Sequence, residues 1–148
     1  MEELIVEAKI ENLHKVQDFI ANELKDAPCT VKMQNQIALA AEEIFVNIAL
    51  YAYGGGMQEN GSRIGDSLRE AGTAVIRVRV GDKILLEFED RGRPFNPLEA
   101  DDPVIAEDVD DQDSGGFGVF IVKKVTDEIK YRYEDNKNIL QLIINKSA

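Results

Sequence analysis

Apolar residues recur along this chain at two rhythms, and the changes of rhythm divide it into elements. A short strand, "ELIVEAKI", leads into "NLHKVQDFIANELKD", where Leu13, Val16, Ile20 and Leu24 form one stripe of an amphipathic helix and Asn12 is placed to cap it. After the "APCT" break, Ile37, Ala41, Ile44, Ile48 and Tyr51 recur at spacings of four, three, four and three, which defines the buried face of a longer second helix. The period then falls to two. "TAVIRVRV" alternates Ile76, Val78 and Val80 with Arg77 and Arg79, "GD" makes a tight turn, and "KILLEFED" places Ile84, Leu86, Phe88 and Asp90 on one side. Near the end, "FGVFIVKKVT" reads as a helix. "DEIKYRYE", with Ile129, Tyr131 and Tyr133 on one face, the turn "DNKN" and "ILQLII" form a last hairpin.

The order βα, α, ββ, loop, α, ββ predicts an α+β two-layer sandwich, a mixed but mostly antiparallel sheet covered on one face by helices. Length and composition fit one domain over residues 1–148: 148 residues at 44% hydrophobic content supply one substantial core. Within it, residues 54–72 are glycine-rich and polar and read as a mobile insertion. No apolar run approaches the ~20 residues of a membrane helix, and "MEELIVEAKIEN" carries acids where a signal peptide needs a basic region; a cytoplasmic protein with no membrane contact is expected. Single Cys29 and His14 exclude an internal disulfide and a zinc-type cluster. The net charge of -11 argues against direct nucleic-acid binding, which demands clustered Lys and Arg. Eight of the acids lie between Glu99 and Asp113, a segment without a single Lys or Arg.

Three polar groupings interrupt the apolar pattern. Glu43 and Asn47, one helical turn apart, point the same way at the edge of the core stripe; a carboxylate there can act as a general base and an amide oxygen can bind Mg²⁺. Asp90 ends a strand on the side of Phe88 and needs a hydrogen-bond donor, for which an aminopurine would serve; Gly92 permits close backbone approach and Phe95 offers a flat apolar surface. In "SGGFGVFIVKK", Gly115, Gly116 and Gly118 expose backbone N–H groups at the start of a helix, a phosphate cradle in principle, although neither a Rossmann fingerprint nor a P-loop. Taken singly, each has an ordinary reading: a solvated helix face, a β-turn, a linker before a helix.

In this order and spacing the three are far more specific than any one. Together they resemble the GHKL superfamily of ATPases and kinases, the Bergerat fold or histidine-kinase-like ATPase fold. "EEIFVNIALYAY" is similar to its N-box, "EDRGRPFNP" to its D-x-G-x-P-F adenine box and "GGFGVFIVKKVTDEIKY" to its second glycine box. Within it, the wording is most similar to bacterial anti-sigma-factor serine/threonine kinases. The resemblance implies ATP and Mg²⁺ as cofactors, Glu43 as catalytic base and Asn47 as Mg²⁺ ligand. Tyr51 would lie beside the nucleotide, Asp90 would accept from the adenine amino group, and Gly92 and Phe95 would line the base pocket. Gly115, Gly116, Phe117 and Gly118 would contact phosphates, and residues 96–115 would be the ATP lid. It also implies a sigma factor and an anti-anti-sigma protein as partners, and leaves homodimerisation open. Two alternatives stand beside the kinase. One is a nucleotide-sensing binding module with little catalysis, favoured by the arginine-free acidic segment; the other is a stand-alone histidine-kinase-type catalytic domain.

Overall fold

The computed structural model describes residues 2–27, 29–53, 72–96, 98 and 122–145. Five strands form one sheet: β1 (Glu2–Glu7), β2 (Thr73–Val80), β3 (Lys83–Asp90), β4 (Glu128–Glu134) and β5 (Lys137–Asn145), in spatial order β1-β2-β3-β5-β4. The sequence pattern predicts a mixed, mostly antiparallel sheet; all four ladders between these strands are antiparallel. Helices α1 (Leu13–Leu24) and α2 (Val31–Asn47) supply the apolar layer that meets one face of it.

The period-two pattern fixes which side of each strand is inside. Ile76 and Val78 of β2, Ile84, Leu86 and Phe88 of β3, and Leu140, Leu142 and Ile144 of β5 are all buried, and Val16, Ile20, Leu24, Ile37, Ile44 and Ile48 pack on them from the helices. Burying one such side chain is worth roughly 1.5–3 kcal/mol, so the face that meets the helices is the main source of stability. Truncating a central member such as Ile44 to Ala would cost about 2–5 kcal/mol. A slip of one residue in any strand would turn this set to solvent, and so burial also pins the register.

Two local features depart from the sequence reading. Asn12 stands at the N-cap of α1, but its side chain does not cap the helix; a 3₁₀ turn over Ile10–Asn12 precedes α1, and Asn12 Nδ2 donates back to the Glu7 carbonyl at 2.9 Å. Thr30, by contrast, caps α2 through a 3.0 Å bond from the Met33 N–H to its hydroxyl. The turn of the last hairpin is also shorter than "DNKN". Only Asp135 and Asn136 turn, both at positive φ as a two-residue hairpin turn requires, and Lys137 and Asn138 already belong to β5.

Candidate active site

Helix α2 carries the first pair of site residues. Asn47 is buried, Glu43 half-buried one turn before it, and Asn47 Nδ2 donates to Glu43 Oε2 at 3.0 Å. A carboxylate only accepts, so the nitrogen end of the amide must face Glu43 and the amide oxygen is turned away from it. One oxygen ligand of this kind suits Mg²⁺, which takes few protein ligands and completes its shell with water and phosphate. No cluster of three or more His, Cys, Asp or Glu able to hold a metal by itself occurs among the described residues.

Immediately after Asn47 the helix widens into a π-helical stretch, Ile48–Ala52. Each residue then turns through a smaller angle than in an α-helix, and the core stripe shifts phase. Ala52 is buried, whereas Tyr51, which the regular periodicity assigns to the stripe, stands 38% exposed. The Tyr51 ring instead meets Phe95, centroids 5.8 Å apart and tilted by 52°. Arg93 lies over the same Phe95 ring at 5.4 Å and donates from Nε to the Tyr51 carbonyl at 3.0 Å. The helix end and the loop over residues 91–95 are thereby one surface.

Gly92 explains how they come so close. A Cβ at this position would sit 2.1 Å from the Ala52 carbonyl oxygen, far inside contact distance, and the next residue donates its N–H to that same oxygen at 2.9 Å. Glycine is required here by the end of α2. Its N–H also donates to Asp90 Oδ1 at 2.9 Å.

Asp90, only 1% exposed, is the centre of the second grouping. Its register partner on β5 is Asn138, whose Nδ2 donates to Asp90 Oδ1 at 2.9 Å. Burial pushes the Asp90 carboxyl above the usual aspartate range, the two donated hydrogen bonds pull it back, and the neighbouring Glu89 charge raises it again. A raised value in the folded protein means that ionised Asp90 costs stability at neutral pH. That cost is absent below the ordinary aspartate range and develops as pH rises through it toward the raised value. Both donated bonds fall on Oδ1. No sealed side-chain polar atom among the described residues lacks a partner, so Oδ2 is the oxygen open to a ligand donor.

Three further residues build the site and were not singled out from the sequence. Asn138 was hidden inside a turn-like run. Tyr131 bonds Asn138 through its hydroxyl, which also receives the Phe95 N–H at 3.2 Å. Tyr53, at the end of the widened helix, accepts the Arg91 N–H at 2.6 Å and donates to the Thr73 carbonyl at 2.7 Å, which ties α2 to β2 and to the residue after Asp90. Burial is the main reason its phenol is raised to about 12, so it keeps its proton and donates throughout the physiological range. The structure thus brings Tyr51, Asp90, Gly92 and Phe95 together beyond the end of the helix that carries Glu43 and Asn47. Gly115, Gly116, Phe117 and Gly118, most of the 96–115 lid and nearly all of the 54–72 insertion lie outside the described residues. Beyond the glycines, residues 122–125 are helical, with Val122 buried in the core and Lys123 and Lys124 exposed.

A family model described as a histidine kinase-like ATPase domain matches residues 6–144. The chain belongs to that family. It is therefore a domain of the GHKL superfamily of ATPases and kinases. Among solved structures, the histidine kinase domain of the blue-light activated histidine kinase from Erythrobacter litoralis EL346 is similar over 96% of this chain at a TM-score of 0.53 and 17% identity. This chain spans 62% of that domain's length, so the likeness is one of fold. The histidine kinase AdeS of Acinetobacter baumannii aligns over 100% of this chain and 69% of its own, at 14% identity and a TM-score of 0.48. No protein with a curated description matches the sequence. Among the described residues, no helix is long and apolar enough to cross a membrane.

Proposed function

We propose that this histidine kinase-like ATPase domain is an ATP-dependent serine/threonine protein kinase, acting as an anti-sigma factor on an anti-anti-sigma partner. The observation that carries the reading is the pairing of Glu43 with Asn47 on one turn of α2. A serine or threonine hydroxyl keeps its proton at neutral pH and gains from a carboxylate at the point of attack, whereas a neutral imidazole already has a lone pair to offer. A base beside the phosphate-bridging ligand therefore fits a hydroxyl acceptor better than a histidine.

The division of labour follows from chemistry. Asp90 accepts from the exocyclic amino group of adenine, and Phe95 and Tyr51 border the base. Asn47 would hold Mg²⁺, which supplies neutralisation of triphosphate charge when bound. Glu43 orients the acceptor hydroxyl and takes its proton as the oxygen bonds to the γ-phosphorus and the bond to ADP breaks. Positioning and charge neutralisation supply most of the acceleration in such transfers, and the base contributes about 10²–10⁴-fold. The sigma-factor and anti-anti-sigma partners rest on sequence resemblance. The same resemblance leads us to place the protein in the cytoplasm.

A second reading has its own support: with no Lys or Arg between Glu99 and Asp113, that segment offers no cation to a terminal phosphate, as a nucleotide-sensing module with little catalysis would allow. Radiolabelled ATP incubated with the protein and its cognate anti-anti-sigma protein separates the possibilities. Acid-stable label on the partner, lost in Glu43→Gln with ATP affinity kept, supports the kinase. Acid-labile label points to a histidine acceptor, and nucleotide-dependent partner binding without ADP formation points to a sensor.

A further inference from the structure

Asn138 is 1% exposed and satisfies two acceptors and two donors at once. Its Nδ2 donates to Asp90 Oδ1 at 2.9 Å and to the Arg93 carbonyl at 2.8 Å; its Oδ1 receives the Phe95 N–H at 2.9 Å and the Tyr131 hydroxyl. The four contacts reach the base-accepting carboxylate, the backbone on both sides of Pro94, and β4. No other side chain among the described residues bonds both Asp90 and the loop that carries Phe95. The orientation of the amide is unambiguous, because carboxylate and carbonyl only accept while N–H and phenol donate here.

We propose that Asn138 is the positioning and base-selecting residue of the nucleotide site. This rests on the reading of Asp90 as the adenine acceptor. By occupying Oδ1, Asn138 and the Gly92 N–H leave Oδ2 to face the purine, at a distance from Phe95 set by the two bonds to the loop. A carboxylate oxygen held in one place accepts from an amino group and repels a keto oxygen, and its discrimination is only as sharp as its orientation is fixed. Without Asn138 the carboxylate can rotate, and Oδ1 loses a donor that water can replace. A mobile, hydrated carboxylate tolerates a 6-keto purine through a bridging water. Asn138 thus acts through Asp90 and touches no reacting atom.

The test compares affinity for ATP and for ITP, which differ at the purine 6-position, in wild type, Asn138→Ser, Asn138→Ala, Tyr131→Phe and Asp90→Asn. Asn138→Ser keeps one donor and Tyr131→Phe keeps the ring, so both preserve packing should Asn138→Ala fail to fold. The expected result is an ITP-to-ATP ratio of dissociation constants that falls about tenfold or more in Asn138→Ala. It should fall by less in Asn138→Ser and least in Tyr131→Phe, since a polar site left imperfectly paired loses discrimination before it loses contact area. Equal weakening of both nucleotides, with the ratio unchanged, would show that Asn138 only stabilises the fold and would overturn the proposal. If Asp90→Asn binds ATP as wild type does, the adenine reading itself fails and takes this proposal with it. Loss of ATP binding in Asp90→Asn beside an unchanged ratio in the Asn138 variants refutes the role of Asn138 alone.

Discussion

Glu89 and Asp90 are neighbours in sequence, both carboxylates and both buried, yet they lie on opposite faces of β3 and are held in opposite ways. On the face away from the helices, Arg77 Nη1 reaches Glu89 at 2.8 Å and Glu87 at 2.5 Å, while its Nε bonds Glu3 at 2.8 Å. Lys137 approaches Glu89 at 3.8 Å and Gln141 donates to Glu87 at 2.8 Å. The three carboxylates hold the Arg77 guanidinium well above its ordinary value, against the opposing effect of burial. On the helix face, Asp90 receives only neutral donors. The first arrangement satisfies its carboxylates within the protein. The second leaves a buried negative charge without a cation, a local cost that makes sense where a ligand supplies the missing donor.

If that contrast is right, mutations on the two faces separate binding from stability. The largest effect is expected from Asp90→Asn, which keeps size but presents an amide nitrogen to the adenine amino group: ATP affinity should fall about 100-fold by calorimetry, as expected when a buried polar contact becomes a mismatch. Its ligand-free stability at pH 7 should be equal to or above that of wild type. The sign follows from the raised Asp90 value, and any advantage of the variant should shrink as pH falls through the ordinary aspartate range and vanish by about pH 3, where the wild-type carboxyl is largely protonated in both folded and unfolded chains. Denaturant titrations at the two pH values check this.

Gly92→Ala comes next, because the new Cβ meets backbone and not a side chain that can swing away. A loss of about 1–3 kcal/mol is expected in chemical denaturation, together with weaker ATP binding as the loop is pushed from α2. Arg77→Met is the mirror experiment. Gathering Glu3, Glu87 and Glu89 without their cation should destabilise the protein by about 1–2 kcal/mol, less in high salt, and leave ATP affinity unchanged. The smallest effect belongs to Arg93→Gln, which removes an exposed cation from the Phe95 ring. Melting should register about 0.5–1 kcal/mol at most, since exposed cation–π contacts are weak.

The parts of this contrast that a sequence displays are those governed by period. Alternation along "KILLEFED" places Asp90 with Phe88 and Glu89 opposite, and helical spacing sets Glu43 and Asn47 on one edge of α2; both are found. What escapes is whatever depends on partners distant in the chain. Asn138 is 48 residues from Asp90 and sits in an asparagine-rich run whose composition announces a turn, although the turn uses only Asp135 and Asn136. Tyr51 is misassigned to the core because a regular helix is assumed where a π-helical stretch shifts the phase. Tyr53 shows no pattern at all. Its use comes from Arg91 and Thr73, which only the fold brings to it. The Arg77 network is equally silent, for alternating charges on paired strands give no hint of which carboxylates converge on one guanidinium.

The account stands most directly on calorimetric titration of ATP with Mg²⁺ into wild type, Asp90→Asn and Arg77→Met side by side. It predicts saturable binding to wild type and Arg77→Met with the same affinity, and about 100-fold weaker binding to Asp90→Asn. Absence of binding to wild type, or equal binding to all three proteins, would contradict it.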